Sequence, residues 1–318
     1  MTKETLISIS FWIPKGPSLA RLVAAVTLLL VSPLIATGVG AHEADQSSGI
    51  KILIVGATAK TANELIPQAL WRGHEVIALA RRPYRVRHAP HERLTIVRGD
   101  VYDQASIEAA LSGDGSEVVV SIYGPRIDPS VEIPETDLSS QGTTNIINAM
   151  KAKGNTRLFA TSSTSVQEVA KLGYKADTPR PEGLEPGKGL WFYYLRGPYN
   201  DMLRMEKIVL DSGLDATVLR PGQLLILPAT GDILLTVDTE TPNRRIITYA
   251  DFAAFILDQV ESPQYEGHIV GIYSATEMDF SKDGGNIDYD ASFKLLERQR
   301  LEAEADLAAD PEAYRRPE

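Results

Sequence analysis

The chain has 318 residues, 43% of them hydrophobic and 23% charged, with 32 Lys and Arg against 42 Asp and Glu. This composition excludes a largely disordered, collagenous or polytopic membrane protein, and a formal net charge of -10 excludes general attraction to nucleic acid. Cysteine is absent, which excludes disulfides, thiolate metal sites and cysteine nucleophiles, and His42, His74, His88, His91 and His268 do not fall at metal-ligand spacing.

Residues 22–41 form an uncharged run, preceded by Lys3, Lys15 and Arg21 and followed by a polar stretch from His42 to Ser48. A basic flank, an apolar stretch and small residues ending in Val39-Gly40-Ala41 make the layout of a secretory signal. A run of this length also just spans a bilayer, so an uncleaved membrane anchor is the other reading; Pro33, Gly38 and Gly40 favour cleavage. In both readings the globular part is expected outside the cytoplasm. No Arg-Arg pair precedes the run, which points to a Sec-type route and a periplasmic or extracytoplasmic domain. The expected organisation is 1–41 as signal or anchor, 42–275 as one nucleotide-binding domain and 276–318 as a charged tail.

From Ile50 onward, short β-branched runs alternate with amphipathic stretches. The pattern predicts strands at 51–55, 75–80, 94–97, 117–122, 157–160 and 216–219. Helices are predicted at 61–72, 104–111, 143–152 and 198–210. Continuous apolar strands alternating with helices imply a doubly wound parallel sheet of the Rossmann type, covered on both faces. Ligands of such sheets bind beyond the carboxyl ends of the strands. Residues 171–191 contain Gly173, Pro179, Pro181, Gly183, Pro186, Gly187 and Gly189 and read as a long loop, either a lid or a surface insertion. The last 40 residues are highly charged, with a helical stretch at 291–309 carrying a modest apolar stripe.

The turn Gly56-Ala57-Thr58-Ala59-Lys60-Thr61-Ala62 follows the first strand and opens a helix, where a Gly-rich turn lets backbone N–H groups meet a pyrophosphate. Only Gly56 remains of three expected glycines, and a packing turn is the competing reading. The second strand runs into Arg81 and Arg82, with no acidic residue for a ribose hydroxyl. Planar guanidinium groups there suit a 2′-phosphate, which points to NADP(H) over NAD(H); a solvated basic stretch is the alternative. After the third strand, Asp100 can accept from an adenine amine while Val101 packs on the ring, or Asp100 simply caps the next helix. The later strands exit into polar or Gly/Pro turns at Ser121, at Ser162-Ser163 and at Pro221-Gly222.

Together these residues resemble the atypical short-chain dehydrogenase/reductase group, the NAD(P)H-binding and NmrA-like proteins that include flavin/biliverdin-IXβ reductases. The resemblance rests on Ile54 to Thr58, Arg72 to Val76, Arg98 to Val101, Ala160 to Ser163, and Met205 through Gly222, in family order. It implies NADP(H) held by Gly56, Thr58, Ala59, Lys60, Thr61, Arg81, Arg82, Asp100 and Val101, with nicotinamide near Ser121 and Pro221. Two departures qualify it. Ala59 places a methyl group where the backbone should approach phosphates, and affinity is expected to suffer. The family's Tyr-x-x-x-Lys pair is replaced by Pro198 and Met202, so no tyrosine is primed as proton donor. An active protein would then pass hydride from NADPH to a small conjugated acceptor, flavin-like or quinone-like, with the proton drawn from solvent. Ser121, Ser163 and Tyr199 are the expected substrate contacts. The rival is an exported, non-catalytic module acting in nucleotide sensing or protein interaction. No metal is expected, and a membrane partner only through the N-terminal segment.

Overall fold

The computed structural model describes residues 49–125, 132–183, 188–242 and 245–275, together with the backbone of Ser8–Ser10. In chain order the elements are β1 (Ser8–Ser10), β2 (Lys51–Val55), α1 (Ala62–Trp71), β3 (Glu75–Ala80), β4 (Leu94–Arg98), α2 (Gln104–Glu108), β5 (Val118–Ser121), α3 (Leu138–Lys153), β6 (Arg157–Thr161), α4 (Ser165–Leu172), α5 (Lys188–Tyr194), α6 (Arg196–Leu210) and β7 (Asp215–Pro221). A second stretch adds β8 (Gln223–Leu225), β9 (Asp232–Val237), β10 (Ile246–Thr248), α7 (Tyr249–Glu261) and β11 (Ile269–Ser274). The apolar run 22–41 and the tail helix expected at 291–309 lie outside the described residues.

The large sheet has the order β1-β9-β11-β7-β6-β5-β2-β3-β4. From β4 to β7 it is parallel, as the continuous apolar strands require, and it is doubly wound. The order reverses between β2 and β5, whose last residues Val55 and Ser121 are register partners, and sheets of this kind take their ligand beyond such a reversal. β11 extends the parallel part beside β7, whereas β9 runs antiparallel to β11. Three residues of the N-terminal segment, β1, lie antiparallel on β9 at the edge.

The pleat sends alternate residues to opposite faces, and each face has its own core. Ile52, Ile54, Val76 and Ala78 face α1 and α7. Leu53, Val55, Val119 and Leu158 face α3 and α6. A third, smaller cluster joins α4 and α6 through Val166, Val169, Leu195, Tyr199 and Met202.

Three expectations are corrected. The helix predicted at 143–152 begins five residues earlier, because its first turn is capped from far away: the Asp201 carboxylate on α6 accepts the Ser139 N–H at 2.6 Å and the Ser140 N–H at 3.3 Å. The loop predicted at 171–191 is shorter, since α4 reaches Leu172 with Gly173 as its left-handed cap (φ 67°) and α5 starts at Lys188. Between Leu219 and Ser274, where no periodic element is predicted, the chain builds α7 and β8 to β11. α7 is organised by Asp251, whose carboxylate takes the N–H groups of Thr230 and Gly231 and the Thr248 hydroxyl.

Candidate nucleotide site

The turn after β2 rests on the neighbouring strand. The N–H groups of Gly56 and Ala57 both donate to Leu79 O, at 3.2 and 3.1 Å, at the carboxyl end of β3. Gly56 has φ 94°, and a Cβ there would lie 2.8 Å from the Tyr123 N and Cβ. Glycine is therefore required twice, by backbone angle and by close approach of the chain leaving β5. Ala62 is fully buried in the core on the α1 face, where the start of the helix packs on the sheet. Ala59 is half-buried and packs against that same core, and its N–H closes the turn onto Gly56 O at 2.8 Å. The methyl group that sequence places at the phosphates has apolar neighbours. Thr58 is exposed and Thr61 buried, and among the described residues no backbone acceptor is paired with either N–H. Lys60 flanks the turn, and burial lowers its pKa from the usual lysine value.

Arg81 and Arg82 leave β3 exposed, one strand from this turn. Asp100 does not cap α2, whose N-cap position is Asp103, with no capping bond from that side chain. The Asp100 carboxylate accepts the Tyr102 N–H at 3.1 Å, and its own N–H is held by Ser106 Oγ at 3.0 Å. Val101 is buried in the α3 face. The turn, the arginine pair and Asp100 thus follow β2, β3 and β4 along one edge.

The other half of the edge follows β5, β6 and β7. Ser121 is buried, with Val55 and Ala160 as its cross-strand neighbours. Ser163 is half-buried and accepts the Ser165 N–H at 3.2 Å, while the buried Pro221 carbonyl accepts from Thr164. Tyr199 is placed differently: it is 4% exposed, within the α4–α6 cluster, with Trp191 Nε1 donating to its hydroxyl at 3.1 Å. Pro198 and Met202 are both buried on α6.

The roles of two important side chains are not legible in the sequence, although Glu206 lies within the family landmark that starts at Met205. Tyr123 roofs the Gly56 turn and donates to Ser139 O at 3.2 Å, and burial, reinforced by the Asp201 carboxylate, pushes its phenol well above the usual range. Glu206 accepts from Ser162 Oγ at 2.6 Å and from Arg220, joining β6, α6 and β7 beneath the edge. Their partners lie 14 to 44 residues away, which no spacing pattern encodes.

A bound dinucleotide fits this edge. Gly124 has open space above it, the Thr161 Oγ1 at the end of β6 is buried without a hydrogen-bond partner among the described residues, and the turn offers backbone donors. No cluster of His, Asp and Glu able to hold a metal occurs among the described residues.

A family model described as NAD(P)H-binding matches residues 56–263, more than half of the chain and the whole of this edge. The chain belongs to the NAD(P)H-binding family. An uncharacterised chloroplastic protein of Arabidopsis thaliana is 29% identical over 188 residues, covering 58% of this chain and 63% of its own. The 3-diazoavenalumate denitrifying reductase of a Streptomyces species is 28% identical over 187 residues, covering 57% of this chain and 58% of its own. This NAD(P)H-binding protein therefore spans less than two thirds of either relative. An anaerobillin reductase of Escherichia coli O157:H7 shares the fold, with a TM-score of 0.52 at 16% identity over 72% of this chain and 98% of that one.

Proposed function

We propose that this NAD(P)H-binding protein is a reductase of the atypical short-chain dehydrogenase type, using NADPH to reduce a small, planar, conjugated acceptor. The observation that carries the reading is the absence of a primed proton donor on α6. Pro198 and Met202 stand where the Tyr and Lys would be, and the Tyr199 hydroxyl is engaged by Trp191. Tyr249 is pushed up to about 12 by burial, Tyr102 to about 12 by partial desolvation together with the Asp137 carboxylate its hydroxyl bonds, and burial raises Tyr123 further. A phenol raised in this way donates poorly at neutral pH. A conjugated ring can accept hydride without simultaneous protonation of an oxygen, so orientation replaces acid catalysis.

Bound NADPH supplies the hydride. The turn at Gly56, Thr58, Ala59, Lys60 and Thr61 receives the pyrophosphate, Arg81 and Arg82 pair with the 2′-phosphate, and Asp100 and Val101 border the adenine. Ser121, Thr161 and Pro221 border the nicotinamide, and Ser163 faces the acceptor. The reductase names of the Streptomyces relative and the Escherichia coli neighbour support this class. Titrating purified protein into NADPH and following cofactor fluorescence tests the first step. Micromolar binding is expected, and no quench or shift up to millimolar cofactor overturns the reading.

A second reading, an exported module that senses nucleotide or contacts protein, is favoured by the same missing pair. It differs in one result: NADPH binds, yet FMN and menadione are not reduced. Export itself is part of the proposal, and in the exported protein, cleaved or anchored, β1 no longer lies on β9. N-terminal sequencing of the protein from cell fractions is expected to begin at His42, and an intact Met1 in the membrane fraction supports the anchor instead.

A further inference from the structure

Arg196, the first residue of α6, has its side chain 4% exposed, yet the carboxylate it meets, Glu132, is 42% exposed. Its Nε donates to Lys175 O at 2.8 Å, Nη2 to Ala176 O at 3.1 Å, and Nη1 to Tyr193 O at 2.8 Å and to Glu132 Oε1 at 2.7 Å. The guanidinium carbon also lies 4.2 Å from the Tyr193 ring centroid. One side chain thus joins three separate segments: the chain following β5, the chain following α4, and α5.

The surrounding contacts repeat the pattern. The Ile133 N–H donates to Tyr194 O at 2.7 Å, and the Gly197 N–H donates back to Ile133 O at 3.0 Å. A Cβ on Gly197 would meet Ile133 O and Glu135 N at 2.6 Å, so the close seat beside Arg196 needs glycine. Asn200, one turn further along α6, donates to Tyr174 O at 2.7 Å, and the Tyr193 hydroxyl donates to Thr178 O at 3.1 Å.

Burying a guanidinium against carbonyls and a half-exposed carboxylate costs solvation. Lysine would not reproduce it, because only a planar fork of donors can bond several carbonyls in one fixed geometry. The segments it ties descend from the carboxyl ends of β5 and β6, the half of a doubly wound edge that takes the nicotinamide and whatever accepts its hydride. The nucleotide half, built on β2 to β4, receives no contact from Arg196.

We propose that Arg196 is a positioning residue that fixes the shape of the acceptor pocket and leaves nucleotide binding untouched. The proposal rests on the reductase reading above. Residues 174–178 are then part of a fixed wall and not of a moving lid.

The test uses the full chain as wild type, Arg196→Lys and Arg196→Met, with NADPH, FMN and menadione as probes. Arg196→Met is expected to raise the FMN Kd and the acceptor KM about tenfold or more, with NADPH Kd and kcat within about threefold of wild type. Arg196→Lys is expected to fall between the two. Hydrogen exchange at the amides of Ile133 and 175–178 should quicken about tenfold or more in Arg196→Met, with residues 56–62 unchanged. Equal losses of NADPH and acceptor binding, or unchanged exchange at those amides, overturn the proposal. If Arg196→Met does not fold, Glu132→Gln is expected to shift acceptor KM in the same direction by a smaller factor, and no shift overturns it. A wild type that binds NADPH but neither FMN nor menadione overturns the reductase reading. The exchange rates then decide the clamp by themselves.

Discussion

Glu206 on α6 and Arg220 on β7 form a two-pronged ion pair inside the protein, Nε to Oε1 at 2.7 Å and Nη2 to Oε2 at 2.5 Å. Ser162 Oγ donates to the same Oε1, so the carboxylate ties the end of β6 to β7 directly beneath the acceptor half of the edge. The side chains are 4% and 14% exposed. Glu206→Gln leaves the guanidinium buried without its counter-charge and is expected to cost about 3–5 kcal/mol of stability in urea unfolding. Replacing both partners by methionine is expected to cost less than the single change.

Gly56→Ala tests the turn. An L-residue at φ 94° is strained by about 1–2 kcal/mol, and its Cβ would displace Tyr123 from 2.8 Å. Stability should fall by at least that amount, and the NADPH Kd measured by fluorescence should rise about tenfold or more as the donors are turned away.

Ala59→Gly has the opposite expectation. The Ala59 methyl packs against the α1-face core while the Ala59 N–H closes the turn onto Gly56 O, so removing the methyl opens no new approach for phosphate. NADPH affinity is expected to stay within about threefold of wild type, with a stability loss of about 0.5–1 kcal/mol from backbone entropy. A large gain in affinity would show that the methyl blocks the phosphates.

Arg81→Ala with Arg82→Ala addresses cofactor choice. Loss of charge-assisted hydrogen bonds worth about 1.5–3 kcal/mol should raise the NADPH Kd about 10- to 100-fold and leave the NADH Kd unchanged. Equal effects on both cofactors would place the arginines elsewhere than at a 2′-phosphate.

Glu117, 2% exposed just before β5, supplies a pH dependence. Burial alone would push its carboxyl up, but bonds from the Ser112 hydroxyl, Asn155 Nδ2 (2.9 Å) and the Ser112 N–H (2.8 Å) outweigh burial and hold the pKa below the usual value. With the folded pKa depressed, the stabilisation is complete above the unfolded pKa of about 4.3 and is lost as pH falls through the folded value. Urea midpoints should therefore drop for the wild type on acidification. Glu117→Gln should be about 1–3 kcal/mol weaker at neutral pH and drop less.

The sequence by itself determined the local features of this protein. Continuous apolar strands require burial on both faces, so β2 to β7 and the helices α1, α2, α3 and α6 are legible, as is Gly56 as the turn residue, whereas α4 and α5 are not. Arg81, Arg82 and Asp100 were placed at the ligand edge because each directly follows a strand, and strand ends are read locally. The start of α3 was misread because its cap, Asp201, arrives from a helix 61 residues away. The segment after α4 read as a free loop because Gly and Pro mark irregular backbone and say nothing of what holds it. Only the tertiary structure decided that Arg196 and Asn200 hold that segment, that Tyr123 covers Gly56, and that Tyr199 is buried beside Trp191. These contacts depend on distances across the fold, and periodicity and motif spacing carry information only along the chain.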